Sequence, residues 1–197
     1  MKIDQTKKIP IEFYKQKTED IARLLIGKLF VRVIDGEWLA CEIHETEAYL
    51  PDGDYASHAA KMKTLRNAPM FESGGILYVY FIYGVHYCVN IVTENAGIGS
   101  AVLLRAGKPL AGIEKMQEFR KSNKIEQLCK GPGNFAKAFD LNKTHNFHRL
   151  DSDDIFLCDY ETYPDSEIVR TTRIGINLSK DLPLRFYLKD SPYISKK

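Results

Sequence analysis

No apolar run in this sequence approaches the ~18 residues that a bilayer-spanning helix needs, so an integral helical membrane protein is not expected. The opening Met-Lys-Ile-Asp-Gln-Thr-Lys-Lys has no apolar segment behind it, which argues against a secretory leader. Cysteine is sparse. Cys41, Cys88, Cys129 and Cys158 lie far apart, with no pair two residues from each other. They read as buried free thiols in a reducing compartment, and a cytoplasmic location follows as an expectation, nucleoid-associated in a bacterium or nuclear in a eukaryote. No glycine-rich loop closes on Lys-Ser or Lys-Thr, so nucleoside triphosphate chemistry is not expected. His44-Glu45-Thr46-Glu47-Ala48 has Ala48 where a zinc-protease helix needs histidine, and Thr46 where a zinc deaminase needs glutamate. His58, His86, His145 and His148 make no ligand set. The expectation is no metal and no other cofactor. Net charge is small as well: 28 basic against 26 acidic side chains, or +2. That neither demands nor excludes a nucleic-acid partner, because binding needs a local basic face rather than a large total.

The sequence is rich in tyrosine. Of its eleven, Tyr78, Tyr80, Tyr83 and Tyr87 fall within residues 77–91, Leu-Tyr-Val-Tyr-Phe-Ile-Tyr-Gly-Val-His-Tyr-Cys-Val-Asn-Ile. Aromatic and β-branched residues on both sides of Gly84 predict two strands joined by a tight turn. Tyr83 beside the turn glycine would put aromatic surface at a hairpin tip. Such surface serves either as ordinary core or as something that inserts.

Along the chain, Thr18-Glu19-Asp20 predicts an N-cap and an acidic first turn, with Ile21, Leu24 and Leu25 as the apolar stripe and Gly27 as the stop. Strands are expected over 28–34 and 38–47 around an Asp35-Gly36 turn. Strict alternation would place Leu39, Cys41, Ile43 and Glu45 on one face of the second strand, and Glu42, His44 and Thr46 on the other. Residues 54–70 look irregular and carry Lys61, Lys63 and Arg66 with no acid among them. Residues 101–105 read as a short buried strand ending in Arg105, and Pro109 as the start of a helix through Phe119. Gly131-Pro132-Gly133 should open another helix. Residues 140–168 look loop-rich, and late strands are expected near 173–177 and 184–188. With 197 residues, 44% of them hydrophobic, and no repeat or linker, one domain over 1–197 is expected. Its class would be α+β: a largely antiparallel curved sheet, flanking helices and a protruding β-hairpin.

Two functional readings of single residues stay open at this level. Glu45 and Glu47 are either solvated edge charges or carboxylates set for general-base work beside aromatics. Arg105 closes an apolar strand and calls for a carboxylate partner such as Glu47. Lys130, Gly131 and Gly133 before a helix could present N–H groups to a phosphate, or could be a plain turn.

Several runs, taken in order, resemble the alkyladenine (3-methyladenine) DNA glycosylases. They are Glu45-Thr46-Glu47-Ala48-Tyr49, Ala56-Ser57-His58, the stretch 77–84, Cys88-Val89-Asn90, 101–105, Gly131-Pro132-Gly133 and 183–187. The likeness covers about 13–193. His44 departs from it, since the family usually has an aliphatic residue there, and the loop 93–100 is particular to this chain. The resemblance implies a monofunctional glycosylase of base-excision repair. It would act as a monomer on double-stranded DNA carrying damaged purines, alkylated or deaminated, and leave an abasic site. By motif match it implies Glu47 as the water-activating residue with Arg105 supporting it. Tyr49, His58, Tyr80 and Asn90 would form the base pocket, and Tyr83 the intercalating wedge. Lys61, Lys63, Arg66, Lys130, Gly131 and Gly133 are candidate phosphate contacts. Two alternatives remain: a single-stranded nucleic-acid-binding module without catalysis, built on stacking tyrosines, and a hydrolase of free nucleosides.

Overall fold

A computed structural model describes residues 4–196. Helix α1 spans Thr18–Leu24 and is followed by the hairpin of β1 (Leu29–Ile34) and β2 (Glu37–Tyr49). Next come β3 (Leu77–Ile82), β4 (His86–Val92), β5 (Ala101–Ala111), α2 (Ile113–Arg120) and α3 (Pro132–Ala138). The chain ends with β6 (Ile155–Cys158), β7 (Ile168–Thr171) and β8 (Arg185–Leu188). The strands form one open antiparallel sheet, ordered β3-β4-β5-β2-β1-β6, with β8 also bonded to β2 and β7 to β8. The class is α+β, as expected. Among the described residues no helix is long and apolar enough to cross a membrane. All four cysteines are buried free thiols.

β2 is the strand on which the sheet is built. Every residue from Leu39 to Ala48 is buried. One edge of β2 carries β5 along most of its length. The other is shared: β1 takes Glu37–Glu42, then β8 takes Glu45–Glu47. Between these two halves the β2–β5 register slips twice. Ile43 faces Gly107 and Glu45 faces Ala106, so His44 is an extra residue on β2. Thr46 then faces Leu104, so Arg105 is an extra residue on β5. Each is a β-bulge, and a bulge re-aims the side chains that follow it.

The bulges overturn the strict alternation expected of β2. Leu39, Cys41 and Ile43 lie in the main core, which α1 and α3 cover. After His44 the faces exchange. Ala48 joins that core, and Thr46 donates to the Ala22 carbonyl of α1 at 2.7 Å. Glu45 and Glu47 thereby turn to the opposite side. A one-residue slip moves a whole set of side chains to the other face of a sheet. Gly107 lets the two strands close here, because a Cβ on it would fall 2.4 Å from the Glu42 carbonyl oxygen.

Other expectations need correction. Thr18 is inside α1 and caps nothing; Lys17 holds the cap position, and the Thr18 hydroxyl instead donates to Glu94. Thr18 also meets Thr93 at 2.9 Å, so the loop 93–100 anchors the start of α1. β5 does not stop at Arg105, and Pro109 lies within it rather than opening a helix. Leu110 is a further unpaired residue beside Pro109, and bulges are where strands admit proline. Residues 173–177 form no strand; β7 precedes them, and β6 lies inside the stretch expected to be loop. Both hairpin turns follow their sequence. Asp35 and Gly36 have φ of 51° and 81°, and Tyr83 and Gly84 have 54° and 70°, the left-handed pair that a type I′ turn requires.

Candidate active site

Glu47 is the centre of the site. It has β5 on one side and β8 on the other, so its backbone cannot shift without breaking ladders on both edges. Its relative exposure is 0%. Arg105 Nη1 donates to Oε2 at 3.2 Å, the Tyr49 hydroxyl to Oε2 at 3.0 Å, and the Ile174 amide to Oε1 at 2.8 Å. The reading of solvated edge charges is therefore wrong for both glutamates. Glu45 is equally buried and accepts from Arg105 Nε at 3.2 Å, Arg185 Nε at 2.7 Å and the Ser195 amide at 2.6 Å. Two carboxylates and two guanidiniums balance in one buried cluster, which is what allows charges to persist out of water.

Burial pushes the Glu47 carboxyl above its ordinary range. Arg105, the Ile174 amide and the Tyr49 hydroxyl pull it back down, while Glu45 adds to the rise. Burial opposes the Arg105 charge, but Glu47 and Glu45 outweigh it and hold that group cationic. Burial and Glu47 push the Tyr49 phenol well up, so it remains a hydrogen-bond donor. A buried carboxylate with a raised pKa and a fixed cationic partner suits proton abstraction near neutral pH.

All three partners of Glu47, namely Tyr49, Arg105 and Ile174, line a cleft of about 290 Å³ that also takes in Ala56, His58, Tyr80 and Leu103. A smaller pocket, sharing Tyr49, His58 and Tyr80 with this cleft, is walled further by Met70, Tyr78 and Asn90. The four expected pocket residues are thus brought together. Asn90 Nδ2 donates to the Tyr78 carbonyl at 3.0 Å, which fixes its side chain between the two hairpin strands. His58 Nδ1 meets the Tyr78 hydroxyl at 2.8 Å, and its ring packs edge-on to Tyr80 with centroids 4.6 Å apart. Partial burial of the imidazole, together with the Arg66 charge, holds its pKa below the ordinary value.

Tyr83 stands at the mouth of the cleft, 77% exposed and in the left-handed conformation. A bulky residue with positive φ is an outlier, and such strain is usually kept at functional sites. Lys61, Lys63 and Arg66 lie on an exposed loop docked to the hairpin. Arg66 Nη2 donates to the Phe81 carbonyl at 3.3 Å, with its guanidinium over Tyr80. Lys63 faces Glu72 at 3.7 Å. Exposed Met62 and Leu65 project from the same loop. Lys130, Gly131 and Gly133 sit across the cleft, where Pro132 forms part of the lining. Lys130 Nζ donates to the Pro192 carbonyl at 2.9 Å, and Gly133 abuts the His86 ring.

Sequence reasoning missed three contributors. Tyr78 was within reach, since it shares a strand face with Tyr80. Arg173 was not, because its role rests on a distant partner. It forms a buried bidentate pair with Asp54, both contacts at 2.6 Å, and lies over the Tyr49 ring at 4.6 Å. Ile174 acts through its backbone amide, which no side-chain pattern records. Among the described residues, no three His, Cys, Asp or Glu side chains gather as a metal site would require.

Carboxylate, arginine and aromatic walls together have the chemistry of a hydrolytic site, with ring faces on which a flat group could stack. Comparison with known proteins gives the particular kind. Residues 12–192 match the model of the methylpurine-DNA glycosylase family. A relative from Francisella tularensis subsp. tularensis, named "Putative 3-methyladenine DNA glycosylase", is 44% identical over 184 residues, 92% of this chain and 95% of its own. Relatives of the same name from Chlorobium phaeovibrioides and Chlorobium phaeobacteroides are 44% and 42% identical, over 94% and 96% of this chain and 95% and 96% of their own. The chain belongs to the methylpurine-DNA glycosylase family. It is a hydrolytic N-glycosylase whose partner is DNA with alkylated bases. The non-catalytic binding module and the free-nucleoside hydrolase fall with that assignment.

Proposed function

We propose that the enzyme extrudes a damaged purine, alkylated or deaminated, from duplex DNA into the pocket of Tyr49, His58, Tyr80 and Asn90. Glu47 then activates the water that cleaves the N-glycosidic bond. The observation that carries this reading is the Glu47 carboxylate, fully buried yet held by three donors whose residues all line the cleft.

A base within the duplex cannot present its glycosidic bond, so it must leave the stack at a cost of a few kcal/mol. Tyr83 at the hairpin tip fills the vacated space, as apolar wedges do in minor-groove binders. The aromatic walls favour a cationic alkylated purine by cation–π attraction, worth roughly 0.5–2 kcal/mol. Asn90, fixed against Tyr78, screens the edge of the base. Lys61, Lys63 and Arg66 on one bank, and Lys130, Gly131 and Gly133 on the other, flank the cleft where the phosphates of a bound strand would run.

As the bond lengthens, the sugar takes on oxocarbenium character. Ionised Glu47 stabilises that cation and takes a proton from the water, while Arg105 keeps Glu47 ionised and aimed. Among the described residues no lysine lines the cleft, so the chemistry stops at an abasic site without strand scission. One copy of the chain supplies every residue of the site, and a monomer is its working unit. The test is duplex DNA with a single hypoxanthine or N-methylated purine, incubated with enzyme and then treated with alkali. Cleavage at the lesion only after alkali supports the reading; cleavage without alkali, or none with either lesion, refutes it.

A further inference from the structure

The segment that follows β8 is tied to the catalytic strands at several points. Ser191 Oγ meets His44 Nδ1 at 2.7 Å, the Ser195 amide donates to Glu45 Oε2 at 2.6 Å, and Arg185 donates to the Lys196 carbonyl. One side chain of this segment reaches the catalytic arginine itself. The Ser195 hydroxyl accepts from Arg105 Nη2 at 3.3 Å and donates to Glu45 Oε1 at 2.9 Å.

Arg105 is therefore held at all three of its nitrogens: Nε by Glu45 at 3.2 Å, Nη2 by Ser195, and Nη1 by Glu47 at 3.2 Å. A guanidinium is a rigid planar fork. Fixing Nε and Nη2 fixes the plane, and the plane decides where Nη1 points. Arg105 occupies a bulge, where the ladder constrains its backbone less than elsewhere. Side-chain partners must supply the aim that the strand does not.

We propose that Ser195 is a positioning residue for base excision, holding Nη2 so that the Arg105 plane delivers Nη1 to Glu47. The inference rests on the reading of Glu47 as the base. Ser195 itself lines neither the cleft nor the pocket, so it acts through the two side chains it holds, Arg105 and the Glu45 that also grips Arg105.

The test is Ser195→Ala, which removes the hydroxyl but keeps the backbone amide on Glu45. Single-turnover excision of a cationic N7-alkylated guanine should fall roughly tenfold, the scale of the hydrogen bond lost from Arg105. The acid limb of the rate–pH profile should also move to higher pH, because a slackened Arg105 stabilises ionised Glu47 less. The other groups facing Arg105 are Glu45, Tyr49 and Cys88; the substitution leaves Tyr49 and Cys88 untouched, and Glu45 loses the serine hydroxyl but keeps Arg105, Arg185 and the Ser195 amide. Ser195→Thr keeps the hydroxyl and should restore both rate and limb, while the isosteric Ser195→Val should not. If Ser195→Ala does not fold, the Thr and Val pair carries the same comparison. Wild-type rate and an unmoved limb in both hydroxyl-free variants, beside an inactive Glu47→Gln, overturn the role of Ser195 alone. A Glu47→Gln enzyme that excises at the wild-type rate overturns the reading beneath it.

Discussion

Replacing Glu47 with glutamine separates chemistry from stability, because its carboxyl is both fully buried and raised in pKa. Glutamine keeps the size and cannot ionise. Single-turnover excision at pH 7.5 should fall by at least ~10²-fold, within the range of general-base catalysis, while damaged DNA still binds. Stability should respond to pH in a defined direction. With the native pKa above the unfolded value of 4.5, the folded state holds the proton more tightly. Wild-type stability therefore declines as pH rises from 4.5 through the native pKa, and levels off beyond it. Each unit between the two values is worth about 1.4 kcal/mol. A glutamine at this position contributes no such slope. It also places an amide N–H₂ either against the Ile174 amide or against Arg105 and Tyr49 together, a cost that does not vary across this window. The stability of Glu47→Gln relative to wild type should thus rise from pH 4.5 toward neutrality, whatever its offset. The assays are urea melts of both proteins from pH 4.5 to 8 and single-turnover excision of a cationic lesion, whose own protonation does not interfere. A relative stability that is flat or falls with pH, or excision near the wild-type rate, refutes the reasoning.

Tyr83→Ala should weaken lesion-specific binding by roughly 1–3 kcal/mol, the scale of one base–aromatic stack, and affect a stably paired lesion more than one opposite a mismatch. Because Tyr83 is 77% exposed, the melting temperature should hold; a core-sized loss with equal damage to both duplexes would end the wedge reading. Asp54→Ala strands a buried guanidinium on Arg173 and should cost about 3–5 kcal/mol in a denaturant melt. A change below ~1 kcal/mol would show that Arg173 does not depend on Asp54 as its buried partner. Dialysis against a strong chelator should leave excision unchanged, whereas activity lost and then restored by zinc or magnesium would expose a metal site.

The sequence declared what local chemistry sets. Asp35-Gly36 and Tyr83-Gly84 announced their turns because a left-handed pair favours glycine, and the tyrosine spacing announced the hairpin. Glu47, Tyr49 and Arg105 were legible as candidates, and the structure brings Tyr49 and Arg105 within hydrogen-bonding distance of Glu47. What stayed hidden depends on partners far along the chain. Burial of Glu45 needs Arg185 and Ser195, and the second edge of β2 needs β8. β6 is only four residues long, and a run that short carries too little pattern to stand out from loop. The bulges at His44 and Arg105 have no compositional mark, so simple alternation put Glu45 on the wrong face.

Those paired bulges make catalytic geometry a matter of counting as well as chemistry. β2 is two half-strands in different phase: the first presents its odd-numbered residues to the core, the second its even-numbered ones. His44 is the one-residue spacer between them, and Arg105 is its counterweight across the ladder. Position 44 can change its side chain without disturbing that phase. It cannot be dropped, because removing one link of chain would swing both glutamates inward among leucines and leave Thr46 and Ala48 facing the cleft.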